Sequence, residues 1–272
     1  MTDAALRILS EGGDRPLYLW MHYYDAHPPY GHPPDVSGRE RADDTVYYDE
    51  ELAYIDKQFG RLIDAVDHRS DPTYLVFTSD HATSFYPVEG VRRWNYGYDI
   101  YTSTLHVPLI VHGPGIPAGR ADHVVSTMDA APTLVNLLGM QHPEKFEGTS
   151  LVPELLAGAT DANRLVFHEY YLPENEFRGH GDPLEFVSVR TDRYDLILNR
   201  QHGTYELYDW RADYWEEHDL YAELASTPEI ARVRSLLAAF LLRYAVRAAT
   251  TTPPTMPPRI GIGHGKFPAI DR

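Results

Sequence analysis

The stretch TYLVFTSDH, residues 73–81, sets the interpretation of the whole chain. Residues 73–79 are mainly apolar and β-branched, without the alternation of apolar and polar side chains typical of a strand that faces water on one side. Such a run is typical of a strand buried on both faces, as in a parallel sheet. Asp80 and His81 follow at once, so a carboxylate and an imidazole stand where the predicted strand ends.

Two further segments have the same character. We predict buried strands over residues 16–24, PLYLWMHYY, and over residues 105–112, LHVPLIVH. Helices are predicted over residues 46–67, where apolar residues recur at spacings of three and four, and over residues 126–138. Strands and helices thus alternate, which predicts an α/β fold, mainly a parallel sheet flanked by helices.

The pattern changes after about residue 160. Short segments with turn residues between them predict an antiparallel meander, with strands at 186–190, 194–199 and 204–209. A helix over residues 228–247 is expected to pack on that small sheet, and the proline-rich tail is expected to be extended. The predicted divisions are a partial α/β domain over 1–160, an antiparallel subdomain with a helix over 161–249, and a tail over 250–272.

Composition narrows the class of function. The chain has 272 residues and a formal net charge of -16. This charge disfavours nucleic acids and anionic membranes as partners, because both attract basic proteins. The absence of cysteine excludes disulfides, thiolate metal sites and cysteine nucleophiles. No apolar run is long enough for a transmembrane helix and no signal peptide is visible, so a cytoplasmic location is expected by default.

Side chains that can bind metals gather at two predicted strand ends. Asp80 and His81 follow one strand, and Asp25 and His27 follow another. In open α/β sheets, ligands bind beyond the carboxyl ends of the strands, so these residues are candidates for one site. Asp80 could equally cap a turn and His81 could bond to the backbone, and the residues by themselves leave both interpretations open.

Six blocks over residues 15–158 resemble the sulfatase family, which belongs to the alkaline-phosphatase-like superfamily. They are LYLWMHYYDAHPPY, YYDEELAYIDKQFGRLIDAV, YLVFTSDHA, YDIYTSTLHVPLIVHGPGIPAG, VVSTMDAAPTLVNLLG and GTSLVPELLAG. The later run VSVRTDRYDLILN…TYELYDWRADYWEEHDLY also resembles the small antiparallel subdomain of that family. The resemblance implies a partial alkaline-phosphatase-like fold and a metal-dependent hydrolase of sulfuric esters.

The resemblance also implies roles for individual residues. The family binds a divalent cation (Ca²⁺, Mg²⁺ or Mn²⁺) through a block that matches Asp80 and His81. A histidine that contacts the sulfate group matches His27, which is the implied catalytic residue. In the loop before the third predicted strand, Arg93 and Tyr96 are the candidates for substrate binding, although an arginine there could also be an exposed loop charge.

The sequence departs from the family pattern at several points. The family's paired-aspartate strand and its Cys-or-Ser-x-Pro-x-Arg block, which supplies the nucleophile, have no match here, and Ala82 replaces a glycine. With two cation ligands and no activated nucleophile, this chain alone is expected to bind metal weakly and to be inactive. A separate N-terminal chain, a sheet that closes around the gap, or a truncated product would each account for this pattern.

Three hypotheses about function stay open. The first is a portion of a sulfatase-type hydrolase that acts on a sulfated small molecule or glycan, with a complementing N-terminal chain as an optional partner. The second is a phosphodiesterase or phosphoglycerol transferase of the same superfamily. The third is a non-catalytic binding or interaction module that keeps the old cleft.

Overall fold

The computed structural model describes residues 1–13, 15–27, 30, 44–85, 95–96, 99–141, 146–161, 163–172 and 184–250. The chain divides between Asp219 and Leu220 into two compact units, and each is described by itself. The described helices are α1 (Thr2–Glu11), α2 (Asp44–Asp67), α3 (Thr102–Leu105), α4 (Ala130–Leu137), α5 (Val152–Ala157), α6 (Tyr221–Leu224) and α7 (Pro228–Thr250). The described strands are β1 (Leu75–Thr78), β2 (Thr83–Ser84), β3 (Asn95–Tyr96), β4 (Leu109–His112), β5 (Val166–Leu172), β6 (Leu184–Arg190), β7 (Tyr194–Asn199) and β8 (Thr204–Asp209).

Helix α2 confirms the helix predicted over residues 46–67 and buries one stripe of side chains. The buried positions recur every three or four residues and include Tyr47, Glu51, Ile55, Phe59, Leu62 and Val66. Leu52, which the sequence pattern placed on the apolar stripe, is 42% exposed, while its neighbour Glu51 is 6% exposed. A carboxylate therefore occupies a core position of α2, and burial of this kind requires hydrogen-bond partners.

The strand predicted over residues 16–24 is wrong. This segment pairs with no strand in the described part of the chain. Tyr18 and Trp20 are 80% and 72% exposed. An apolar run becomes a buried strand only where other strands pair with it and other layers cover its faces, and the described residues supply neither here. The hydroxyl groups of Thr2 and Tyr23 lie 2.7 Å apart and tie the segment to α1.

Strands β1 and β4 lie at two predicted strand positions and form an antiparallel ladder. Leu75 is opposite His112, and Thr78 is opposite Leu109. The parallel arrangement predicted for this region is therefore not the one that these strands adopt; parallel strands need further parallel neighbours, and β4 is the one described partner of β1. The ring centroids of Phe59 and Phe77 are 4.6 Å apart, so α2 packs on β1.

The predicted antiparallel meander is confirmed, and β5 extends it to a four-stranded sheet in the order β5-β6-β7-β8. Val189, Leu196 and Leu207 face one another across β6, β7 and β8 and are fully buried. Adjacent residues such as Leu196 and Ile197 are both buried, so both faces of β7 are covered. The predicted α/β class with a small C-terminal antiparallel sheet is thus confirmed.

The second unit contains α6 and α7. Ile230, Val233 and Leu237 of α7 are buried at the predicted helical spacing. Residues 251–272, which include most of the predicted tail, lie outside the described residues, and the predicted boundary at residue 160 stays a prediction. Among the helices of the described chain, none combines the length and the apolar character needed to cross a membrane.

Candidate functional site

Asp80 and His81 form a compact turn directly after β1. The Oδ1 atom of Asp80 accepts a hydrogen bond from the backbone N–H of His81 at 3.0 Å. The hydroxyl of Ser79 donates to the carbonyl oxygen of His81 at 2.8 Å, which closes the turn. The strand ends here because these side chains, instead of a neighbouring strand, satisfy the backbone groups.

The tautomer of His81 follows from its contacts. Its Nδ1 atom lies 3.0 Å from the carbonyl oxygen of Ala82, an acceptor, so Nδ1 carries a proton, and in the neutral ring the lone pair is on Nε2. That nitrogen lies 3.8 Å from Oδ2 of Asp80. Histidines that bind metals usually donate their other ring N–H to a carbonyl or carboxylate in this way.

The Asp80 carboxylate and the His81 imidazole are suitable as two ligands of one divalent cation. Nε2 of His81 and Oδ2 of Asp80, 3.8 Å apart, would be the two atoms that hold the ion, since a carboxylate oxygen and an imidazole nitrogen are both common metal ligands. Partial burial raises the pKa of Asp80, but the hydrogen bond from the His81 amide, the charge of the His81 ring in its protonated form and the hydrogen bond from Ser79 outweigh this and hold the pKa below its ordinary value. The Asp80 side chain is 77% exposed, so water can reach the pair and complete a coordination shell.

His27 follows a turn that a distant helix holds in place. Ala26 has φ 68°, in the left-handed region that residues with side chains rarely adopt. Its N–H donates to Oε2 of Glu51 in α2 at 2.6 Å. The ring of His27 stacks on Tyr24 with centroids 4.3 Å apart, and its Nε2 lies 3.0 Å from the Tyr24 hydroxyl. The position of His27 therefore depends on Glu51 and Tyr24.

An aromatic cluster joins the segment after His27 to the segment after His81. The rings of Tyr30 and Phe85 have centroids 5.9 Å apart, and Tyr48 of α2 lies 5.0 Å from Phe85. Both predicted site segments thus converge on the first turns of α2. The structure brings Asp80 and His81 together as one pair, and the cluster joins Tyr30, three residues after His27, to Phe85, four residues after His81.

The two candidates for substrate binding have different outcomes. Arg93 lies outside the described residues, so its role stays a prediction. The backbone of Tyr96 belongs to β3 and pairs with Thr83, two residues beyond His81. This places the Tyr96 backbone beside the Asp80–His81 turn.

Two contacts that position the site were not predicted from the sequence. Glu51 lies four residues from Tyr47 and four from Ile55 in the buried stripe of α2, and an acid at such a position was an available signal. The carbonyl oxygen of Thr104 accepts the N–H of Ala82 at 2.8 Å, and no local pattern predicts that contact. Both contacts are long-range.

A second group of potential metal ligands lies far along the sequence. Asp213, Glu217 and His218 bring one ligand atom each within 4.8 Å of one another. The N–H of His218 donates to Oδ2 of Asp213 at 2.8 Å, which explains the grouping as a surface turn. Any metal titration of this chain therefore needs a control for this second group of ligands.

Two family models match the chain. The model described as Sulfatase matches residues 1–140, and the model described as N-sulphoglucosamine sulphohydrolase, C-terminal, matches residues 90–242. A sequence relative is the uncharacterized sulfatase YidJ of Escherichia coli (strain K12), 29% identical over 195 residues, which are 70% of this chain and 36% of that protein.

Solved structures agree with these matches. The structure of BT1596, a 2-O GAG sulfatase, superposes with a TM-score of 0.60 at 23% identity and covers 77% of this chain and 45% of that chain, which supports the fold. The phosphonate monoester hydrolase of Agrobacterium radiobacter has a TM-score of 0.55 at 27% identity, over 75% of this chain and 41% of that chain.

The chain thus spans less than half the length of these proteins. Each of the two family models nevertheless matches more than half of this chain, and the superposed structures share its fold. The chain therefore belongs to the sulfatase family.

Proposed function

We propose that this chain supplies a cation-binding and substrate-binding part of a metal-dependent hydrolase of sulfuric esters. The observation that supports this best is the Asp80–His81 pair, whose Oδ2 and Nε2 atoms lie 3.8 Å apart at the end of β1. Asp80 and His81 would hold the cation, and a bound cation polarises the oxygens of a sulfuryl group.

His27 would contribute a hydrogen-bond donor to the sulfate group. The turn at Ala26, fixed by Glu51, and the stack on Tyr24 restrict the directions that its ring can take. An imidazole held by other contacts loses little freedom when it binds an anion, which favours this role. Tyr96 and Arg93 belong to the same proposal as residues near the substrate.

A sulfated sugar is the substrate class that we propose. Support comes from the match of residues 90–242 to a model described by N-sulphoglucosamine sulphohydrolase. We further propose that the chain alone binds a divalent cation weakly and does not turn over. Two ligands fill only part of a shell in which Ca²⁺ takes six to eight oxygens. The chain has no cysteine and no Ser-x-Pro-x-Arg string to supply the nucleophile that the family resemblance implies.

The first experiment is a calorimetric titration with Mn²⁺ and with Ca²⁺. Asp80→Ala is expected to weaken binding by at least about tenfold, because it removes the one carboxylate of the pair. Asp122→Ala is the matched control, since Asp122 is also an exposed aspartate and its side chain pairs with Arg120 at the surface. His218→Ala controls for the second group of ligand atoms.

Two results would contradict the proposed cation site, and a third would contradict the proposed inactivity. Equal affinity of the wild-type chain and Asp80→Ala, or loss of binding in His218→Ala alone, would contradict the proposed site. Hydrolysis of an arylsulfate by the purified chain alone would contradict the proposed inactivity.

The likeness to a phosphonate monoester hydrolase favours one alternative, a phosphoester or phosphonoester substrate. Competition of sulfated glucosamine and of a phosphonate monoester for the cation-loaded chain separates the two. Preferential binding of the phosphonate would favour the alternative. Sugar binding that persists in Asp80→Ala without cation would instead favour a non-catalytic binding module.

A further inference from the structure

A backbone hydrogen bond joins the residue after the Asp80–His81 turn to α3. The N–H of Ala82, the residue after His81, donates to the carbonyl oxygen of Thr104 at 2.8 Å. Helix α3 is only four residues long, so the carbonyl of Thr104 has no partner within the helix and is available to Ala82. Thr104 is 2% exposed. The direction in which the chain leaves His81 therefore depends on where α3 lies.

The start of α3 is fixed by Glu216, which is 114 residues away from Thr102. Oε2 of Glu216 accepts the N–H of Thr102 at 2.7 Å, and Oε1 accepts the Thr102 hydroxyl at 2.7 Å. The residue before the helix, Tyr101, makes no capping hydrogen bond with its side chain. Glu216 thus satisfies the donors that a local cap would otherwise satisfy.

Glu216 is itself held firmly. It is 1% exposed, and Arg190 donates to its Oε1 at 3.2 Å. Arg190 also donates to the Thr102 hydroxyl at 2.7 Å and pairs with buried Asp195. The backbone of Glu216 has φ 56°, in the left-handed region, and such strain persists only where the surroundings impose it. Arg190 contacts both Glu216 and Thr102, so it holds the carboxylate beside Thr102.

We propose that Glu216 is a positioning residue for the Asp80–His81 pair, which it holds in place through Thr102, α3 and Ala82. The effect on cation binding rests on the proposed function, in which Asp80 and His81 are the cation ligands. The claim that Glu216 fixes the position of the turn rests on the hydrogen bonds alone. The described contacts of Glu216 include neither ligand, so its route to the site runs through α3.

The alternative is that Glu216 only stabilises the region around β6–β8. Global stability does not separate the two roles, because loss of a buried carboxylate destabilises the protein in either case. The N–H of Ala82 does separate them, since it reports on the junction between α3 and the turn. A purely structural role leaves its exchange in the folded state unchanged.

The experiment is native-state hydrogen exchange, followed by NMR, of wild type and Glu216→Gln. A glutamine offers one acceptor oxygen where the carboxylate offers two, so one of the two Thr102 donors loses its partner. We expect the Ala82 amide to exchange about tenfold faster, because the loss of one hydrogen bond between Thr102 and Glu216 makes local opening of this region easier. Asp209→Asn is the matched control, because Asp209, at the end of β8, is also a buried carboxylate and pairs with a different arginine, Arg193.

Thr102→Ser and Thr102→Val give a second pair of variants should Glu216→Gln fold poorly. Serine keeps the hydroxyl that donates to Glu216 and is expected to preserve slow exchange at Ala82. Valine has nearly the same shape without the hydroxyl and is expected to speed it. Equal exchange of Ala82 in wild type, Glu216→Gln and Thr102→Val, or equal acceleration in Asp209→Asn, would overturn the positioning role.

A Mn²⁺ titration of the same variants distinguishes this proposal from the proposed function. Because Glu216 lies next to Glu217 and His218 of the second ligand group, these variants are titrated in a His218→Ala background. In that background we expect Glu216→Gln to bind Mn²⁺ about tenfold more weakly and Asp209→Asn to bind as its parent does. If Asp80→Ala weakens binding and Glu216→Gln does not, the positioning role fails while the cation site stands. If the wild-type chain binds no Mn²⁺, the cation site fails, and the exchange of Ala82 still decides whether Glu216 positions the turn.

Discussion

The pH dependence of stability should expose the charge state of Glu216. Burial raises the pKa of this carboxyl, the neighbouring charge of Asp195 raises it further, and the guanidinium of Arg190 opposes both effects, with a net pKa of about 7. Two buried carboxylates share one guanidinium here, and Asp195 is 0% exposed. The folded protein therefore favours the protonated, neutral form of Glu216 more strongly than the unfolded chain does.

The sign follows from proton binding. A glutamate with an ordinary pKa in the unfolded chain and a pKa of about 7 in the folded protein binds more protons when folded, so stability falls as the pH rises between those values. The stability gained from this group is complete at low pH and is lost as the pH passes through the folded pKa. A tenfold change in a protonation equilibrium corresponds to about 1.4 kcal/mol, so the loss between about pH 5 and pH 8 is roughly 2 to 3 kcal/mol.

Urea unfolding of wild type and Glu216→Gln over this pH range is the assay. Glutamine is nearly isosteric with the neutral acid and does not titrate, and titrating groups remote from Glu216 contribute equally to both proteins. The free energy of unfolding of wild type minus that of Glu216→Gln should fall by roughly 2 to 3 kcal/mol from about pH 5 to pH 8. A difference that stays constant would mean that Arg190 keeps Glu216 ionised throughout and would refute the reasoning.

Three further variants test packing by urea unfolding. A Cβ atom on Gly148 would overlap the backbone carbonyl of Met128, so Gly148→Ala should destabilise by roughly 1 to 3 kcal/mol, and a neutral result would contradict the close approach. Gly60 lies within α2 with open space at its Cβ position, so Gly60→Ala should stabilise by about 0.5 to 1 kcal/mol; a loss would mean that the helix is crowded there. The hydroxyl of buried Thr133 accepts the N–H of Leu151 at 2.8 Å, and Thr133→Val should cost about 1 to 3 kcal/mol, whereas an unchanged midpoint would show that Leu151 finds another partner.

The parts of the fold that the sequence predicts correctly are those with local causes. Strands β6, β7 and β8 follow from apolar segments with turn residues between them, and α2 follows from its helical spacing. The run over residues 16–24 has the same local signal as a buried strand. Its burial depends on partners from elsewhere, however, and no pattern inside the segment reports whether those partners are present.

The candidate site divides in the same way. Asp80 and His81 are adjacent in sequence, so the end of β1 brings them together, and sequence alone predicts the pair. The contacts that shape the two turns connect residues 25 and 114 positions apart, from Glu51 to Ala26 and from Glu216 to Thr102. The sequence around a glutamate does not show which distant backbone group it binds. The one available signal was that Glu51 falls at a core position of α2.

At both segments of the site, a buried glutamate accepts a backbone N–H from a residue that is distant in sequence. Glu51 accepts the N–H of Ala26 beside His27, and Glu216 accepts the N–H of Thr102, which leads through α3 to the Asp80–His81 turn. Both glutamates are buried, at 6% and 1% exposure, where an unmet hydrogen bond is far more unfavourable than in water. Glu51 thus holds the backbone beside His27 directly, whereas Glu216 acts on the Asp80–His81 segment only through α3 and Ala82. It follows that the direction of His27 and the path of the chain after the Asp80–His81 turn are properties of the folded unit, because a peptide of either segment alone lacks Glu51 or α3.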